Sequence, residues 1–136
     1  MGKLLQRLQD PSRSGVYRVR RDNEVLEALH EGGLAAARIA LGGASTKAAL
    51  MSRLSETLRL PDWFGENWDA LEDCLSEVRG YLLFYDYQGL SADDLGVLMD
   101  VLASAAESWA ERGESFFAVF VDPQGALDAD DLFRDA

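Results

Sequence analysis

The stretch Leu60–Val78, LPDWFGENWDALEDCLSEV, constrains this chain more than any other. Leu60-Pro61-Asp62 ends the segment before it, and Gly65 allows a bend that a residue with a Cβ would resist. Asn67 is well suited to cap a helix, because its side-chain oxygen can accept from an unpaired backbone N–H. The pattern beyond it is helical. Ala70, Leu71, Cys74, Leu75 and Val78 recur at three- and four-residue spacing and make one apolar stripe. Asp69, Glu72, Asp73 and Ser76 recur at the same spacing and make a second stripe, which carries three carboxylates and no cation. Trp63, Phe64 and Trp68 crowd the turn beside them.

Each half of this pattern has an ordinary structural explanation. The helix dipole favours an acid such as Asp69 in a first turn. A charged helix face is usually solvated, and aromatics after a turn usually belong to a core. The conjunction points elsewhere: aromatic anchors lie next to carboxylates that lack Lys or Arg partners one turn away, which describes a binding surface.

Those residues resemble a known family. The run Leu60-Pro61-x-Trp63-Phe64-Gly65-Glu66-Asn67-x-Asp69-Ala70-Leu71-x-Asp73-Cys74-Leu75 is similar to the signature of barstar, the intracellular inhibitor of the ribonuclease barnase. Trp63 and Phe64 stand where barstar has two tyrosines, and the order of expected elements agrees from about Ala36 to Asp122. The resemblance implies an α/β fold with a small parallel sheet of three to four strands packed with helices. It also implies a mechanism, in which the acidic helix and its preceding loop cover the ribonuclease cleft and a carboxylate takes the place of an RNA phosphate. Carried over, Asp73 matches the phosphate-mimicking carboxylate and Asp69 the acid one turn earlier. Trp63 matches the loop aromatic, and Ser76 stands at a hydroxyl position. Gly65, Asn67, Trp68 and Phe64 complete the expected partner-binding set, with Glu72. The chain departs from the family at Glu72 and Val78, where barstar has tryptophans. Asp93 and Asp94 match barstar's second acidic cluster by rough position only.

Composition narrows the function further. The chain has 136 residues, enough for one domain with a real core, and a formal net charge of −11. That charge opposes nucleic-acid binding and favours a basic partner. Cys74 and His30 are each the only residue of their kind, so neither a disulfide framework nor a thiolate metal site is expected, and no cofactor. Cys74 lies on the apolar stripe and is expected to be buried, while His30 falls near a helix end before Gly32-Gly33. No stretch reads as a signal peptide, myristoylation site or membrane span, and a cytoplasmic, membrane-free protein is expected.

Along the chain, residues 3–9 read as a short helix stopped at Asp10-Pro11, and 11–15 as a loop. Strands are expected at about 16–20, 36–41, 81–86 and 115–121. Helices are expected from an Asn23 cap to Gly32, from Ser45 or Thr46 to Leu58, from Asn67 to Val78, and from Ser91 to about Arg112. Tyr81–Tyr85 is nearly all apolar, as a strand buried on both faces should be. Alternating strands and helices imply a parallel sheet. The expected organisation is an N-terminal extension (1–15), one barstar-like unit (16–122) with an added β-α unit at 16–33, and an acidic, loosely held tail (123–136) in which Leu132 and Phe133 could dock.

Three functional classes fit these residues. The first is an inhibitor of a basic, extracellular-type ribonuclease, of the antitoxin or immunity kind. The second is a barstar-like adaptor for another basic protein. The third is a hydrolase using Asp69 and Asp73, which has neither a metal set nor a nucleophile beside it. The first is the preferred reading, and no enzymatic activity is expected.

Overall fold

The computed structural model describes residues 2–61, 64–78 and 80–133. Among them are strands β1 (Gly15–Val19), β2 (Ala36–Ala40), β3 (Gly80–Tyr85), β4 (Phe116–Val121) and β5 (Asp130–Asp131). The helices are α1 (Lys3–Leu8), α2 (Asn23–Glu31), α3 (Lys47–Leu58), α4 (Trp68–Leu75) and α5 (Ala92–Glu111). The strands form one sheet in the order β2-β3-β4-β1-β5, and every pairing is parallel. The expected α/β architecture is present, with a fifth short strand supplied by the tail.

The central strands β3 and β4 are buried on both faces. Side chains alternate along β3, so Leu82 and Phe84 enter one core while Tyr81 and Leu83 enter the other. The larger core takes the apolar stripes of α3, α4 and α5, including Leu50, Leu54, Leu71, Leu75, Leu98 and Leu102. The smaller takes Leu5 and Leu8 of α1 with Val25 and Leu29 of α2. Phe84 stacks on Phe120 with ring centroids 4.7 Å apart. β1 and α2 are therefore integral to the sheet: β1 pairs with β4 from Gly15 to Val19, and α2 covers the second face.

Capping explains the helix starts, with one correction. Thr46 accepts from Ala49 N–H and Ser91 from Asp94 N–H, as their hydroxyl types suggest. The expected Asn23 cap is displaced by one residue, because Asp22 is the N-cap and makes no side-chain capping bond. Its carboxylate instead accepts from the Tyr85 hydroxyl at 2.7 Å and pairs with Arg38 at 3.6 Å. Residues Pro11–Arg13, expected as loop, make one turn of 3-10 helix behind Asp10, which accepts from Ser12 N–H.

The tail is held closely, contrary to the loose attachment expected. It crosses the β1 edge as β5 and anchors on both sides of the sheet, Leu127 in the larger core and Leu132 in the smaller. Phe133 is exposed. Arg18 donates to the Gly125 and Leu127 carbonyls, and Arg7 donates to the Leu132 carbonyl. Asp122 is 1% exposed and starts this strap, accepting from the Tyr87 hydroxyl and Leu127 N–H at 2.8 Å each. Burial alone would raise the Asp122 carboxyl. The Leu127, Tyr87 and Ala126 hydrogen bonds and the Arg18 charge outweigh burial and hold it below its ordinary value. The Tyr87 hydroxyl is pushed up to about 12 by burial and then by its bond to that carboxylate.

A carboxyl depressed by folding adds stability that is complete above its unfolded value of about 3.9 and disappears as pH falls through the lower folded value. Asp122→Asn should therefore flatten the acid limb of the stability curve below about pH 4, read by denaturant unfolding at stepped pH. Asp122→Ala should cost about 2 kcal/mol or more, because it leaves buried donors unpaired.

Candidate functional site

Asn67 positions the acidic helix as its sequence suggests. Its Oδ1 accepts from Ala70 N–H at 2.8 Å, while Nδ2 donates to the Gly65 carbonyl at 3.3 Å. The bend before it works differently from expectation. The residue with positive φ is Glu66, at 52°, while Gly65 is constrained by space: a Cβ there would lie 3.1 Å from Asn67 Nδ2. A non-glycine residue in the left-handed region stores about 1 kcal/mol of strain, which the cap and the buried loop must hold. Phe64 supplies that burial. It is 8% exposed and belongs to the larger core, so it anchors the loop from beneath and does not form part of the exposed face. Trp68 is half-buried and packs on the same core. Trp63 lies outside the described residues.

α4 is shorter than the expected 67–78 helix, ending at Leu75 with Ser76 as its C-cap. Leu71, Cys74 and Leu75 are buried, and Val78 packs on the core from beyond the helix. Asp69, Glu72, Asp73 and Ser76 are all exposed along the opposite stripe. Among the described residues, none of these three carboxylates has an ion-pair partner. Glu72 is tethered, since its Oε1 accepts from Ser104 Oγ of α5 at 2.8 Å. Ser76 Oγ donates to the Asp73 carbonyl at 2.6 Å.

The C-terminal end of α4 is held by two residues of the α5 end that lie outside the expected partner-binding set. Trp109 Nε1 donates to the Leu75 carbonyl at 2.9 Å in a buried contact. Arg112 donates to the Ser76 carbonyl at 2.9 Å and stacks on Trp109, 3.6 Å from the ring centroid. A signal existed, because Trp109 continues the Leu102–Ala106 stripe and Arg112 follows it one turn later. Asp93 and Asp94 lie in the first turn of α5, where the dipole favours acids. Asp94 precedes Ser104 by about 15 Å along the helix axis, so they do not join the α4 face through that contact.

This face offers three exposed carboxylates and one hydroxyl. Burial pushes the Cys74 thiol up, with the Glu77 and Asp73 charges adding to it, so the thiolate form is disfavoured. No group of three or more His, Cys, Asp or Glu among the described residues is placed to hold a metal ion. Nor is any helix of the described residues long and apolar enough to cross a membrane.

The structure is a small parallel α/β protein that carries a capped, acid-faced helix. The family model described as barstar (barnase inhibitor) matches residues 34–121, well over half of the chain, and the chain belongs to the barstar family. No curated protein matches it as a relative. The matched span runs from the turn between α2 and β2 to the end of β4 and contains α4.

Asn67→Ala should destabilise the protein by about 1 kcal/mol through loss of the cap. Thermal unfolding checks this, and amide exchange at Ala70 should rise with it.

Proposed function

We propose that this protein is an inhibitor of barstar type, which blocks the active site of a basic ribonuclease with the exposed stripe of α4. Asp73 takes the place of an RNA phosphate at the centre. Asp69 and Glu72 flank it, and Trp63, Gly65, Asn67, Trp68 and Ser76 form or shape the surrounding contact. Phe64 supports the loop from the core. The observation that carries this reading is the pairing of opposite faces on one short helix: Leu71, Cys74 and Leu75 are buried while three carboxylates stand exposed with no ion-pair partner among the described residues.

Such a face suits a cationic cleft. Complementary potential raises the encounter rate, and desolvated charge pairs at the centre prolong the complex. The net charge of −11 works in the same direction and against nucleic acid as a ligand. In this reading the protein acts in the cytoplasm as an antitoxin or immunity protein, without cofactor or catalysis of its own. Binding belongs to the barstar-like unit, 16–122. The β-α unit at 16–33 and the tail at 123–136 serve to complete the sheet.

A second reading, an adaptor for a different basic protein, is favoured by Glu72. A carboxylate tethered by Ser104 stands where the family has an aromatic, so the contact surface differs in charge and shape.

Titrating a barnase-type ribonuclease with the protein tests the first reading. Wild type should inhibit at one-to-one stoichiometry, with association slowing as salt rises. Asp73→Ala should lose about 2 kcal/mol or more, about 30-fold in Kd, the hot-spot threshold of a generalisation to which barnase–barstar itself contributes. No inhibition by wild type would favour the adaptor.

A further inference from the structure

We propose that Arg112 and Trp109 are positioning residues of the partner face, holding the end of α4 so that Asp69, Asp73 and Ser76 are presented as one fixed array. This rests on α4 being the binding element. An eight-residue helix is too short to be stable alone, so its orientation comes from what it packs on. Its last carbonyls lack the partners that a longer helix would give them. The Leu75 carbonyl accepts from Val78 N–H at 3.2 Å and also from the Trp109 indole, and the Ser76 carbonyl accepts from the Arg112 guanidinium, the last two at 2.9 Å each. Ser76 Oγ in turn bonds the Asp73 carbonyl, which links the brace to the residue placed at the centre of the contact. A guanidinium can stack and donate at once, and Arg112 does both, 3.6 Å from the Trp109 centroid.

Charge alone makes the opposite prediction. Arg112 is a cation beside a face meant for a basic partner, so its removal should strengthen long-range attraction. If Arg112 acts by position, its removal should shorten the lifetime of the complex although the protein becomes more acidic.

The test uses the full chain with barnase as probe, comparing wild type, Arg112→Ala, Arg112→Lys and Trp109→Phe. Association and dissociation rates are measured, together with amide exchange in each free protein. Arg112→Ala should associate at the wild-type rate or slightly faster and dissociate about three- to tenfold faster. Arg112→Lys should recover part of this loss, because an ammonium can still reach the Ser76 carbonyl. Trp109→Phe, which keeps one aromatic ring for the core but deletes the five-membered ring with its N–H, should shift dissociation in the same direction. Exchange at Ser76, Glu77 and Val78 should rise about tenfold in Arg112→Ala, with Phe84 and Phe120 unchanged. Tighter or unchanged binding with flat exchange at the end of α4 would overturn the proposal. So would exchange that rises equally in β3 and β4, which would mark a loss of global stability. If wild type does not bind barnase, the ribonuclease reading fails separately, and the exchange arm alone decides whether the brace exists.

Discussion

The buried bond from the Trp109 indole to the Leu75 carbonyl ties the end of the acidic helix to α5. α4 has two turns and cannot set its own direction. Its N-terminal end is set by Asn67 and the strained Glu66, and its C-terminal end by Trp109 and Arg112. Between these ends, Leu71, Cys74 and Leu75 lock its rotation about the axis. Rotation decides which stripe faces solvent. With the apolar stripe buried, Asp69, Glu72, Asp73 and Ser76 have to face outward.

The sheet provides the stiffness this arrangement needs. β3 and β4 are buried on both sides, so α5, which carries the brace, rests on a closely packed layer. The second helical layer and the strap extend that packing to the β1 edge. The strap places Leu127 and Leu132 on opposite faces, and its latch is the buried Asp122 with its hydrogen-bonded Tyr87. A sheet edge left open would offer unpaired backbone groups to other chains, and β5 covers part of that edge.

Much of this was legible in the residues. The four longer strands, the parallel arrangement, the Asn67 and Ser91 caps, an α3 cap at Ser45 or Thr46 and the two stripes of α4 all follow from local periodicity and capping chemistry. What was not legible depends on contacts distant in sequence. The docking of the tail needs Arg18 and Arg7, more than a hundred residues away. Asp22 became the α2 cap while its side chain served Tyr85, 63 residues away. Phe64 reads equally well as surface or core until the loop is placed over α4. The brace was missed for a similar reason: Trp109 and Arg112 look like the ordinary end of a long helix, and only the crossing of α4 gives them a second role.

The measurement that tests the central claim most directly is residue-by-residue amide shift mapping of the full protein as a barnase-type ribonuclease is added. The account predicts changes concentrated on Gly65–Glu77, with the β2 edge and the strap silent. A footprint elsewhere with α4 unperturbed, or no complex at all, would contradict it.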